Sequence, residues 1–262
     1  MGFADLSSVR IHYEVEGPTD RPVLVFSNSL GADLTMWDGV AADLSGQYRI
    51  LRYDTRGHGA SGVTEPPYKL AELGNDLLEL LKKLNIERFL FCGISLGGLT
   101  GIWLGVHAPK RVEALVLANT ASRIGTEESW NGRIERVEAP GLEPMADEIM
   151  ERWFTAEFRA DSRDAVAKAR KILSATSAAG YAGCCAAIRD ADLTASLDQI
   201  TAPTLVIAGM WDPATPASQG KMLAENIRGA RYLELASSHL SAIERPSEFS
   251  GAVQAFFDGL GR

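Results

Sequence analysis

A serine between glycines, an aspartate just past an apolar run and a histidine near the carboxyl end could do chemistry together in this sequence. The serine is Ser95, in Gly93-Ile94-Ser95-Leu96-Gly97. The apolar run RFLFC leads straight into this G-x-S-x-G segment and a helical pattern follows it. A strand-to-helix turn of that kind lifts a hydroxyl clear of a sheet. Its backbone is strained and crowded, which is why glycines flank the serine. The expected chemistry is attack on an acyl carbon, with the Leu96 N–H at the start of the helix stabilising the oxyanion. The structural alternative is a glycine-rich turn with an incidental serine.

A serine hydroxyl needs an adjacent base to act as a nucleophile. Of four histidines, His12 is expected on the first strand, far from the carboxyl edge of a sheet. His58 falls in the turn RGHGAS, and His107 at the far end of the helix that follows Ser95. In hydrolases with such a turn the chain order is nucleophile, acid, histidine, which leaves His239 in SSHLSAIE. The acid should end a strand, where ligands gather in open sheets, and Asp212 follows TLVIAGMW. Asp190, Asp192 and Asp198 lie on helical or connecting segments, and Asn119 has no charge with which to stabilise an imidazolium. His239 as a structural histidine and Asp212 as a helix cap are the competing assignments. The second oxyanion donor is expected in Asn28-Ser29-Leu30-Gly31, from the Leu30 N–H.

These residues need a scaffold, and hydrophobic periodicity supplies one. Residues 9–16 (VRIHYEVE) alternate up to Gly17-Pro18 and read as a hairpin-forming strand. Residues 22–27, 48–53, 88–92, 112–117, 204–208 and 230–235 read as further strands, several of them unbroken apolar runs suited to burial on both faces. Residues 70–84 carry Leu73, Leu77, Leu80, Leu81 and Leu84 at helical spacing, and residues 99–108 look helical up to Pro109. Alternating strands and helices imply an α/β protein with a mostly parallel, doubly wound sheet. Residues 122–196 contain no convincing strand, only helical patterns such as 145–154 and 163–173. They read as a helical cap inserted between a first core segment (residues 1–121) and a second (residues 197–262).

The formal charge of −8 follows from 26 basic and 34 acidic residues, and the pI is about 5.1. Such a chain has no electrostatic reason to bind nucleic acid or an anionic membrane. An anionic substrate would need a local cation working against that background. Cys92, Cys184 and Cys185 are odd in number and lack metal-ligand spacing, so they read as core thiols in a reducing compartment. MGFADLSSVR has no leader pattern and no apolar run is long enough to span a bilayer, so a cytoplasmic location is expected.

Taken together, NSLG, DTRGHGAS, GISLGG, LANTA, YAGCCAAIRDADL, APTLVIAG, WDPATP and HLS resemble the 3-oxoadipate enol-lactonases. These α/β-hydrolases act late in the β-ketoadipate route of aromatic breakdown. The resemblance spans residues 9–257, and the YAGCCAAIRD stretch is its most particular part. It implies an α/β-hydrolase fold with Ser95, Asp212 and His239 as nucleophile, acid and base, and no metal or organic cofactor. Asn28-Ser29 stands where many α/β-hydrolases carry His-Gly. The implied substrate is a five-membered enol-lactone with an acetate arm, and the implied product is 3-oxoadipate. That arm calls for the local cation, and Arg133 in Trp130-Asn131-Gly132-Arg133 is the candidate, with Trp130 as an aromatic wall. Trp153 is a further candidate contact. Arg133 as a solvated charge and Trp153 as a packing residue are the plainer readings. A general carboxylesterase, a carbon–carbon bond hydrolase and a non-catalytic receptor on the same scaffold remain alternatives.

Overall fold

A computed structural model describes residues 1–138 and 141–261. Eight strands form one sheet in the order β1-β2-β4-β3-β5-β6-β7-β8. They are β1 (Gly2–Asp5), β2 (Arg10–Glu16), β3 (Val23–Ser27), β4 (Arg49–Tyr53), β5 (Phe89–Ile94), β6 (Val112–Ala118), β7 (Thr204–Gly209) and β8 (Arg231–Leu235). From β4 to β8 every neighbouring pair is parallel. Every residue of β5 and β7 is buried, as expected for apolar runs covered on both faces.

The chain runs from β3 through α1 (Asp38–Leu44) to β4, then back through α2 (Leu70–Lys83) to β5 on the other side of β3. Right-handed crossovers place α1 and α2 on opposite faces when the direction reverses in this way. The reversal puts the carboxyl ends of β3 and β5 side by side, with Ser27 opposite Gly93. Ligand crevices in doubly wound sheets form at such a switch point. Helix α3 (Leu96–His107) follows β5 and packs against it and against α2. Helices α9 (Ala217–Asn226), α10 (Ser241–Glu244) and α11 (Pro246–Asp258) complete the core, α11 lying against α1.

Between β6 and β7 lie α4 (Glu127–Glu138), α5 (Ala146–Trp153), α6 (Ala156–Asp161), α7 (Arg163–Ala175) and α8 (Ala178–Arg189). These helices make up the segment inserted between β6 and β7. It pairs α4 with α8 and α5 with α7. Where α8 meets the core loop after β4, the backbones of Gly57 and Gly180 touch. A Cβ on Gly57 would lie 2.4 Å from the Gly180 Cα, so neither position has room for a side chain.

Two readings of the amino-terminal region need correction. The hairpin partner of β2 precedes it: β1 pairs antiparallel with β2, Phe3 opposite His12, whereas Gly17-Pro18 leads to β3, which is not a neighbour of β2. His12 is also not far from the carboxyl edge. Strand β2 runs antiparallel to β4 with Tyr13 opposite Tyr53, so His12 lies level with the carboxyl end of β4. Its separation from β5 is instead lateral, three strand spacings of about 4.8 Å each.

Candidate active site

Ser95 occupies the turn between β5 and α3 with φ 58° and ψ −113°, a left-handed conformation that a serine adopts only under tertiary constraint. Its N–H bonds to Ala118 O at 3.0 Å, and its carbonyl accepts from the Thr120 hydroxyl at 2.8 Å. The flanking glycines are required by close approach. A Cβ on Gly97 would sit 2.2 Å from Ser27 O, and one on Gly93 would sit 2.3 Å from Gly97 O. Among the described residues Ser95 Oγ has no hydrogen-bond partner. It faces a cavity of about 760 Å³ that His239 also lines.

Asp212 stands three residues beyond β7, and His239 on the loop between β8 and α10. Their side chains meet at 2.8 Å, His239 Nδ1 to Asp212 Oδ2. The same oxygen accepts from Thr215 Oγ1 at 2.7 Å and Asn119 Nδ2 at 3.0 Å. Oδ1 takes the Ala214 and Thr215 N–H groups at 2.8 and 3.0 Å. Burial acts to raise the Asp212 pKa, but His239 and these donors outweigh it and bring the carboxyl down to about 2. The histidine therefore meets a fixed carboxylate with five donors around it.

Asn119, set aside in the sequence for lacking charge, positions that carboxylate. It holds φ 44° at the end of β6, and its Nδ2 also donates to Ser238 O at 3.0 Å, beside His239. Its Oδ1 accepts the Ser241 hydroxyl. Thr215 had a faint signal, a hydroxyl three residues after an aspartate in a turn. The remaining acids stay apart: Asp190 pairs with Arg189 at 2.7 Å, Asp192 with Arg123 at 3.6 Å, and Asp198 lies on a short 3₁₀ turn.

The other histidines are committed elsewhere. His12 Nδ1 pairs with Asp54 at 2.8 Å, and His107 stacks on Trp103 with ring centroids 4.4 Å apart. His58 is fully buried with Nε2 unpartnered, and burial lowers its pKa to about 4. All three cysteines are buried and free. Burial pushes Cys185 up to about 12, and Cys92 and Cys184 well above the usual thiol range.

The loop carrying Leu30 is held from below. Asn28 O accepts the Gly97 N–H at 3.0 Å, and the Asn28 side chain bridges Tyr53 O and the Trp37 indole, each at 2.9 Å. Leu30 lines the cavity. Leu96 is the first residue of α3, where N–H groups lack intrahelical acceptors.

Trp130, Arg133 and Trp153 all line the cavity that holds Ser95 and His239. The Arg133 guanidinium lies 5.2 Å from the Trp130 ring centroid and its Nη1 is 3.5 Å from the Tyr181 hydroxyl. Burial keeps that phenol neutral, with its pKa raised. Arg152 on α5 lines the cavity too, a second guanidinium that the sequence did not single out. Arg136 is neutralised by Glu148 at 2.8 Å, whereas neither Arg133 nor Arg152 is in an ion pair among the described residues. A smaller apolar cavity of about 180 Å³ shares only Trp153 with this one and contains none of Ser95, Asp212 and His239. No group of three or more potential metal ligands occurs among the described residues, and none of their helices is long and apolar enough to cross a membrane.

Comparison with known proteins agrees with this architecture. Residues 22–246 match the family model of the alpha/beta hydrolase fold. A 3-oxoadipate enol-lactonase of Acinetobacter baylyi is 44% identical over 247 residues, covering 94% of this chain and 92% of its own. The crystal structure of the enol-lactonase from Burkholderia xenovorans superposes with a TM-score of 0.97 at 42% identity, covering 98% of this chain and 100% of that one. A hydrolase structure from Pseudomonas aeruginosa gives 0.95 at 44% identity, covering 98% and 97%. The chain belongs to the α/β-hydrolase fold family, and within it to the group of the enol-lactonases.

Proposed function

We propose that this chain hydrolyses 3-oxoadipate enol-lactone to 3-oxoadipate, with Ser95 as nucleophile, His239 as general base and Asp212 as the acid that orients it. One observation carries the reading. Ser95 and His239 open into the same cavity as Arg133 and Arg152, two guanidiniums in no ion pair among the described residues. An acidic chain has little reason to hold two guanidiniums outside ion pairs over a nucleophile unless the substrate is an anion. The enol-lactonase relatives supply the identity of that anion.

The chemistry follows from the positions. Asp212 accepts from His239 Nδ1, so Nε2 is the nitrogen left to take the Ser95 proton. Ser95 Oγ attacks the lactone carbonyl, and the N–H groups of Leu30 and Leu96 hold the oxyanion, each such donor contributing about 3 kcal/mol. The tetrahedral centre collapses by breaking the ring C–O bond. The leaving group is an enolate, less basic than an alkoxide, so protonation by His239 is a small part of the barrier. The enolate takes the proton that His239 received from Ser95, which leaves the imidazole neutral, and the enol tautomerises to the ketone of the product. Water then gives a proton to His239 and attacks the acyl-enzyme, and Ser95 regains its proton as it leaves. Arg133 and Arg152 hold the acetate arm, and Trp130 and Trp153 wall the ring. Residues 122–196 act as the cap over this site, on a core formed by residues 1–121 and 197–262. No step calls for a metal or an organic cofactor.

The test is loss of ultraviolet absorbance from freshly generated enol-lactone, with wild type and Ser95→Ala compared. Rapid loss only with wild type is expected. A wild type inert on the lactone but active on p-nitrophenyl esters would overturn the substrate and leave the nucleophile standing. An active Ser95→Ala would overturn the nucleophile.

A further inference from the structure

His239 sits on a short loop, and both of its chain neighbours are tied to the cap. Ser238 Oγ donates to Arg152 O at 2.9 Å, and the Leu240 N–H donates to Trp153 O at 3.1 Å. Both acceptors are at the carboxyl end of α5, whose side chains line the substrate cavity. Glu244, only 5% exposed, fastens the arrangement from behind. Its Oε2 accepts the Ser238 N–H at 2.9 Å, and its Oε1 accepts the hydroxyl of Thr155, the residue that caps α6. No cation is paired with Glu244 among the described residues. Glu244 thus joins the loop of His239 to the start of α6 through two hydrogen bonds.

We propose that Glu244 is a positioning residue for His239. It locks the loop bearing the base and the cap helix bearing Arg152 and Trp153 into one unit. The contacts that shape the substrate wall then also set the distance from His239 to Ser95. This rests on the reading of His239 as the general base, and concerns how that base is aimed.

The experiment measures kcat and KM per folded enzyme for the enol-lactone and for p-nitrophenyl acetate. It uses Glu244→Ala, Glu244→Gln, Thr155→Val and the Glu244→Ala/Thr155→Val pair, with His239→Ala as control. A displacement of about 1 Å at a catalytic group lowers rates by up to about 100-fold. Glu244→Ala should therefore lower kcat on both substrates by about 10- to 100-fold. It should raise KM only for the lactone, because Arg152 moves with the loop. Thr155→Val should shift both parameters in the same direction by less, and the double variant should be no worse than Glu244→Ala, since the two residues share one contact. Glu244→Gln should restore most of kcat, its amide oxygen accepting from Ser238 and its amide donating to Thr155. A loss confined to melting temperature, with kcat per folded protein unchanged in Glu244→Ala and Thr155→Val, overturns the proposal. If Glu244→Ala does not fold, Thr155→Val decides alone, and wild-type kcat there overturns it. An active His239→Ala would instead refute the assignment of the base.

Discussion

Asp212→Asn gives the sharpest test of the site, because the structure fixes what the amide must do. The aspartate accepts five hydrogen bonds and donates none. If the substituted amide keeps its oxygen on the Ala214 and Thr215 N–H groups, its NH₂ faces His239, Asn119 and Thr215 Oγ1. His239 Nδ1 must then accept rather than donate, which places the proton on Nε2, the nitrogen that has to receive the Ser95 proton. In serine hydrolases this change of tautomer lowers kcat by about 10,000-fold, about 5 kcal/mol in the barrier. A kcat for Asp212→Asn within tenfold of wild type, measured on the enol-lactone, would refute the tautomer argument.

The same substitution has a signature in stability. Lowering the carboxyl from 3.8 to about 2 corresponds to about 2 kcal/mol favouring the native state. A depressed folded pKa contributes fully above the unfolded value and is lost as pH falls through the folded one. Wild type should therefore be more stable than Asp212→Asn near neutrality, with the gap closing between about pH 4 and pH 2. At about 2–4 °C per kcal/mol for a chain of this size, differential scanning calorimetry resolves that gap. A pH-independent gap would mean that the carboxylate is not held as described.

Two further perturbations separate the cap from the core. Arg133→Gln and Arg152→Gln should each raise KM for the lactone by about 10- to 100-fold, the worth of one charge-assisted hydrogen bond, with p-nitrophenyl acetate kinetics nearly unchanged; equal losses on both substrates would refute the carboxylate contact. His58, brought from 6.5 to about 4 by burial, stays neutral when folded while the unfolded chain takes up a proton, so stability should fall as pH drops from 6.5 through about 4, by up to about 3 kcal/mol. His58→Asn should flatten that part of the pH–stability curve in urea titrations, and an unchanged slope would refute it.

What the sequence disclosed and what it withheld have physical reasons. β5 and β7 were legible because burial on both faces leaves unbroken apolar runs. Ser95, Asp212 and His239 could be singled out as candidates because each lies within four residues of the end of a recognisable strand. β1 escapes a pattern search: it is a four-residue edge strand with only Ala4 buried. Helix α8 was hidden for the opposite reason. Nearly all of its residues are buried, so it shows no amphipathic period. The misplacement of His12 came from direction, since a strand's hydrophobic pattern does not reveal whether it runs with or against its neighbours. Asn119, Glu244 and Arg152 were out of reach for a different reason. Their roles lie in contacts to residues far along the chain, Asn119 to Asp212 across 93 positions and Thr155 to Glu244 across 89.

The electrostatics of the whole chain also bear on turnover. Opening the lactone converts a monoanion into a dianion, because hydrolysis creates a second carboxylate. Arg133 and Arg152, in no ion pair among the described residues, are on the cap, and as proposed they favour the arm that both species share. The new carboxylate forms at Ser95, in the cavity that His239 also lines, and His239 offsets the charge of Asp212 behind it only while the imidazole carries a proton. Once His239 has returned that proton to Ser95, the product's new carboxylate is left beside a neutral imidazole within a chain of net charge −8. Within the Debye length of about 8 Å at physiological salt, that repulsion acts on the product's second carboxylate and not on the substrate's neutral ring. An acidic background, a hindrance to capturing the substrate, thus favours release of the product, and on the proposed contacts the two cap arginines are what make capture possible against it.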